Sequence, residues 1–161
     1  MKDSRLQKVS IDYCIFSMAF GRDVDFENTH PQSTYLDREN GDILWVYEDD
    51  EDAMWEAGIP AEENRGRREQ IEAAPDRYLE IPGLSHGGHH EILREFLDSD
   101  WTEDEDERKR VRNAYFGSIG GWKKSLEDES IVDVFHSFRE RRIEQLAEKF
   151  LREHGIEPQW K

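Results

Sequence analysis

The sequence predicts an α+β fold, in which a small antiparallel β-sheet packs against a mostly helical C-terminal half. Three observations predict this class. A turn sequence joins two strand-like runs in a hairpin over residues 34–47, and the segment 77–81 alternates polar and apolar residues. Apolar residues then recur at helical spacing over residues 130–154. The length of 161 residues predicts a single domain over 1–161 with frayed termini.

The hairpin is the strongest local prediction. Asn40 and Gly41 are the residues that best tolerate the two positive φ angles of a type I′ turn. This turn makes Leu36 and Trp45 cross-strand neighbours. Segment 77–81 lies between two prolines, which favours a short edge strand beside the hairpin.

A first helix is predicted from Ser10, as its N-cap, to Gly21. Its apolar face would contain Ile11, Cys14, Ile15 and Met18. The single cysteine is therefore expected to be a small core residue, in a protein of a reducing compartment.

Local signals predict the remaining helices. Ser85 is placed as an N-cap, and Gly155 as the left-handed residue that ends the longest helix, with Ile156 as its apolar partner. The predicted helices cover residues 51–58, 62–73, 85–97, 105–116, 122–126 and 130–154.

The charge argues against two classes of partner. The chain has 38 acidic and 22 basic residues, a net charge of −16, which repels nucleic-acid phosphates and anionic lipids. No apolar run reaches the roughly 20 residues of a membrane span, and the first ten residues lack the apolar core of a signal peptide. We therefore expect a cytoplasmic protein, for which nucleic acid is an unlikely partner.

One cluster has the residue types of a metal site. His86, His89 and His90 share a helix face at spacings of three and four residues, so a divalent metal is a possible cofactor. Gly87 and Gly88 weaken the helix that would fix this spacing, and an exposed, His-rich helix start is the alternative interpretation. No other cofactor is expected.

Motifs for other chemistry are missing from the sequence. Its glycine clusters lack the Lys-Ser/Thr ending of a phosphate-binding loop, and no Gly-x-Ser-x-Gly sequence is present. We therefore assign no catalytic residue.

Several segments resemble those of uncharacterised protein family 0158. They are the hairpin Tyr35-Leu36-Asp37…Asn40-Gly41-Asp42-Ile43, the segment from Ala74 to Pro82, the run from Asn113 to Leu126 and the helix end from Phe150 to Ile156. The most specific piece is Asp76-Arg77-Tyr78-Leu79-Glu80-Ile81-Pro82. The resemblance implies a bacterial protein that shares the family's fold. The family has no established activity or catalytic residues, so the resemblance assigns no site.

Five residues are candidates for binding. Arg77 and Tyr78 lie in the most specific segment, where Arg77 would bind an anion at a cleft, beside Arg139 or Arg142. Trp122 is the candidate aromatic contact. The structural alternative places Tyr78 in the core and pairs Arg77 with a carboxylate.

These observations favour a non-catalytic binding or regulatory domain that acts on a protein partner, as a monomer or homodimer. Two alternatives stay open. One is a metal-assisted hydrolase that uses His86, His89 and His90. The other is a nucleic-acid-associated factor, which requires the Arg-rich helix faces to converge on one surface.

Overall fold

The computed structural model describes residues 6–22, 32–126 and 128–161. Seven helices and five strands within these ranges confirm the α+β class. The strands are β1 Gln7–Ile11, β2 Gln32–Asp37, β3 Ile43–Tyr47, β4 Tyr78–Glu80 and β5 Ile156–Trp160. The helices are α1 Tyr13–Phe20, α2 Asp50–Ala57, α3 Ala61–Ala73, α4 His86–Asp98, α5 Glu105–Asn113, α6 Ile119–Ser125 and α7 Glu129–Glu153.

The strands form two sheets. The three-stranded sheet is antiparallel in the order β3-β2-β4, which confirms the hairpin and the edge strand. The second sheet pairs β1 with β5 in parallel and was not predicted. Its register places Gln7 opposite Ile156 and Ile11 opposite Trp160.

The hairpin turn differs from the prediction. Leu36 pairs with Ile43, and Trp45 pairs with Thr34, so Leu36 and Trp45 are not cross-strand neighbours. Only Gly41 has a positive φ in this loop, at 83°, which excludes a type I′ turn. The physical reason is the loop length: five residues, from Arg38 to Asp42, separate β2 from β3 instead of the two of a type I′ turn.

The first predicted helix was wrong at its start. Residues 7–11 form β1, and Asp12, not Ser10, is the N-cap, since its side chain accepts a hydrogen bond from Ile15 N–H. The helix begins only after this strand, at Tyr13, and its buried residues are Phe16, Ala19 and Phe20. Cys14 is consequently exposed and is not a core residue. Two further members of the predicted apolar face, Ile15 and Met18, are also exposed, whereas the fourth, Ile11, is buried in β1.

Four of the six later helices follow their predicted boundaries to within one residue, whereas α5 ends three residues early and α6 begins three residues early. Ser85 is the N-cap of α4 and accepts a hydrogen bond from Gly88 N–H. Gly58 ends α2 and Gly155 follows α7, both with positive φ. In α7 the helical spacing of apolar residues predicts that Val134 is buried, but Val134 is exposed and Ile143 is buried instead.

The chain divides into two compact units. The first contains residues 1–84 and 146–161, and the second contains residues 85–145. The core of the second unit surrounds Phe96, whose ring lies 5.4 Å from Phe135 and 6.2 Å from Trp122, between ring centroids. The prediction of a single domain stays a prediction. In the described ranges, no helix combines the length and the apolar character needed to cross a membrane.

Candidate protein-interaction site

A short acidic helix of the first unit presents two exposed apolar side chains. Met54 is 48% exposed and Trp55 is 83% exposed. Acidic residues Glu51 and Asp52 precede Trp55 by four and three positions, so they are its neighbours on the helix surface. We call Glu51, Asp52, Met54 and Trp55 the Trp55 surface.

Local sequence fixes the direction in which Trp55 points. Asp49 caps the helix by accepting hydrogen bonds from the backbone N–H groups of Glu51, at 2.7 Å, and Asp52, at 3.3 Å. Ala53 is fully buried. Trp55 follows Ala53 by two residues, about 200° around an α-helix, and therefore points away from the core.

Asp50 attaches α2 to α3. Its carboxylate accepts hydrogen bonds from Arg68 at 2.7 Å and from the Asn64 amide at 2.8 Å. These hydrogen bonds, together with the charges of Arg68 and Arg65, hold the pKa of Asp50 below its usual value. The buried Asn64 side chain also donates to Tyr47 O and accepts from Tyr47 N–H. The helix that carries Trp55 is therefore tied to both α3 and β3.

A groove of about 220 Å³ lies between α3 and the sheet. Glu48, Arg68 and Glu72 line this groove. The guanidinium of Arg68 donates a hydrogen bond to the Asp50 carboxylate. Tyr35 lines the same groove. The pKa of its hydroxyl is raised mainly by burial and secondly by the negative charge of Glu80, so the hydroxyl stays neutral. The carboxylates of this groove add to the negative charge of α2.

Arg77 and Tyr78 have structural partners. Arg77 makes a two-point ion pair with Asp37, with Nε–Oδ1 and Nη2–Oδ2 distances of 2.9 and 2.7 Å. Tyr78 is buried, and its hydroxyl accepts a hydrogen bond from Gln70. Both residues therefore match the structural alternative.

The other binding candidates belong to the second unit. Trp122 is buried, and its Nε1–H donates to Val111 O at 3.0 Å, so it is part of the core. Arg142 pairs with Glu95 at 2.9 Å. Arg139 is half-buried. The pKa of Lys123 is lowered mainly by the burial of Lys123 itself and secondly by the positive charge of Arg139. The prediction of a shared arginine cleft involves both units and stays a prediction.

The predicted histidine cluster is partly assembled. His86 Nε2 lies 2.9 Å from His90 Nε2, and His90 Nδ1 contacts the Tyr115 hydroxyl. Among the described residues, no group of three or more His, Cys, Asp or Glu side chains could hold a metal ion. His89 therefore does not complete a three-residue set with the other two.

The basic runs have carboxylate neighbours. Arg67 pairs with Glu63 at 2.5 Å and donates to Trp45 O, and Arg110 lies 3.8 Å from Glu107. These contacts neutralise part of the charge that a phosphate backbone would need.

Comparison with known proteins adds no functional assignment. No protein family, curated protein or solved structure matches this chain. The resemblance to uncharacterised protein family 0158 therefore stays a prediction.

Proposed function

We propose that this protein is a binding module that recognises a basic segment of another protein through the Trp55 surface. The observation that carries the proposal is the exposure of Trp55, at 83%, on a helix that is capped and tied to its unit. Trp is among the residues that contribute most to protein–protein binding energy.

The exposed indole of Trp55, on a helix that is held in place, can contribute more to association with a partner than to folding. Full burial of a large apolar side chain contributes on the order of 1.5–3 kcal/mol, and this contribution is not used within the unit. The hydrogen bonds of Asp49 and Asp50 hold the helix in place before any partner arrives. Binding would therefore require little ordering of the surface, which favours affinity.

Charge determines the kind of partner. Four of the eight residues of α2 are acidic, of which Asp50 is already paired with Arg68, and the groove between α3 and the sheet adds Glu48 and Glu72. A segment rich in Arg or Lys would complement these carboxylates, and its cations would also be attracted to the face of the Trp55 ring. Apolar residues of the same segment would cover Met54.

The test uses two synthetic probes and the full chain. The first probe is a 12-residue peptide of Arg and Leu, and the second replaces each Arg by Glu. We expect salt-sensitive binding of the Arg probe by the wild type, and a loss of roughly tenfold or more in Trp55→Ala, since a central Trp contributes about 2 kcal/mol or more. Isothermal titration calorimetry measures both.

Phe116→Ala is the matched control, because Phe116 is 89% exposed and lies in the other unit. It should bind the Arg probe like the wild type. Equal binding by Trp55→Ala and the wild type, or equal binding of the Glu probe, would contradict the proposal. A Trp55-dependent homodimer in sedimentation would also contradict it, because the occupant would then be a second copy.

A further inference from the structure

The second unit contains a pair of imidazoles whose nitrogen atoms face each other. His86 is the first residue of α4 and His90 lies one turn later, so their side chains share one helix face. Their Nε2 atoms are 2.9 Å apart, and the ring planes are inclined at 75°. His90 is buried, whereas His86 is half-buried and therefore reachable from solvent.

The nitrogen spacing fits a particular coordination geometry. Bonds of about 2.05 Å from a metal to two imidazoles place neighbouring nitrogens about 2.9 Å apart at 90°, and about 3.3 Å apart in a tetrahedron. The spacing of 2.9 Å therefore matches two adjacent ligands of a square-planar or octahedral ion. Among divalent ions with imidazole ligands, copper(II) and nickel(II) adopt such geometry.

Tyr115 supports this role from the other side of the ring. Its hydroxyl contacts His90 Nδ1, and a hydrogen bond from Nδ1–H to that hydroxyl would leave the Nε2 lone pair available. A metal-binding histidine usually has such a partner on its second nitrogen. His86 Nε2–H is then the donor in the 2.9 Å hydrogen bond to His90 Nε2, so His86 must carry its proton on Nδ1 before both Nε2 atoms can bind a metal.

We propose that His86 and His90 form a two-histidine site for a divalent transition metal of square-planar or octahedral preference, with water completing its coordination. Tyr115 is a positioning residue, since it acts on the metal through His90. The net charge of −16 favours the approach of a cation to the molecule. The histidine pair belongs to the second unit and the Trp55 surface to the first, and neither proposal depends on the other.

The experiment titrates tag-free full-length protein with nickel(II) chloride, followed by calorimetry. We expect His86→Ala to weaken binding at least tenfold, and Tyr115→Phe to weaken it by roughly tenfold, as removal of a metal ligand's partner does elsewhere. Electron paramagnetic resonance of the copper(II) form should show hyperfine coupling to two imidazole nitrogens in the wild type and one in His86→Ala.

His89→Ala is the matched control, because His89 lies in the same helix but outside the pair. It should keep nickel affinity within about threefold of the wild type. Unchanged affinity in His86→Ala would overturn the proposal, and so would an equal loss in His89→Ala. If His90→Ala fails to fold, the nickel affinity of His86→Ala alone tests the proposal, because His86 is not a core residue and its substitution should leave the fold intact.

Discussion

The position of Gly41 in the hairpin loop leaves no room for a side chain. A Cβ atom on Gly41 would lie 1.8 Å from the carbonyl oxygen of Ser10 in β1, and the residue has a φ of 83°. The close approach therefore involves backbone, which cannot turn aside as a side chain can. Gly58 also has a positive φ, of 68°, but nothing lies within 4 Å of its would-be Cβ.

Gly41→Ala should therefore destabilise the protein far more than Gly58→Ala. We expect about 1–2 kcal/mol for Gly58→Ala, from the left-handed conformation alone. For Gly41→Ala we expect about 3 kcal/mol or more, because overlap with β1 is added. Urea unfolding of both variants measures the difference, and equal losses would show that β1 can move away at little cost.

The Asp37–Arg77 ion pair is a second feature at this scale. Asp37 is 2% exposed, and burial alone would raise its pKa. Hydrogen bonds from Arg77 and from the Glu39 and Asn40 backbone, with the charge of Arg77, outweigh burial and lower the pKa. A lowered pKa means that the pair contributes stability above the ordinary carboxyl pKa of about 3.9, and that this contribution is lost as pH falls through the folded value.

Asp37→Asn should lower the urea midpoint at pH 7, and the difference from the wild type should shrink as pH falls below about 4. Glu39→Gln is the control, since Glu39 is exposed and lies 3.5 Å from Arg77. It should change stability little at any pH. A difference for Asp37→Asn that is constant down to the lowest pH would contradict the linkage.

At the scale of elements, short-range signals in the sequence predict most of the boundaries. Ser85, Gly58 and Gly155 end or begin helices because each satisfies backbone groups within four residues of itself. The parallel pairing of β1 with β5 depends on residues about 150 positions apart, and no local pattern encodes it. Residues 7–11 are not predicted as a strand for the same reason: their partner β5 is far away in the sequence.

Ile156 tests the importance of the unpredicted sheet. It is fully buried in β5 opposite Gln7, so Ile156→Ala should cost about 2–4 kcal/mol. Gln159→Ala, at an exposed position of the same strand, should stay within about 0.5 kcal/mol of the wild type. Chemical denaturation compares the two, and a small loss for Ile156→Ala would mean that β5 contributes little to the first unit.

At the scale of the whole molecule, charge is the dominant property. A net charge of −16 on 161 residues opposes compaction by self-repulsion. Raising potassium chloride from 10 to about 500 mM shortens the screening length from roughly 30 Å to below 10 Å. The thermal midpoint should therefore rise with salt.

Sodium chloride at the same ionic strength is the control for screening. It should raise the midpoint equally, because screening depends on ionic strength and not on the cation. A midpoint that is independent of salt, or that falls, would show that local ion pairs such as Arg68–Asp50 outweigh the long-range repulsion.

The candidate site was predicted only in kind. The sequence predicts an aromatic contact at Trp122, but Trp122 is buried. Composition cannot separate a buried Trp from an exposed one, because the outcome depends on the angle around each helix. For Trp55 a signal was present: the capping Asp49 and the helix-ending Gly58 define α2, and carboxylates surround its outward side.

The parallel pair β1–β5 also has a consequence for biosynthesis. The ribosome makes residues 7–11 roughly 150 residues before it makes their strand partner. At translation rates of about 5–20 residues per second, β1 lacks its partner for on the order of ten seconds. During that interval its open edge is a place where chaperones or neighbouring nascent chains can attach.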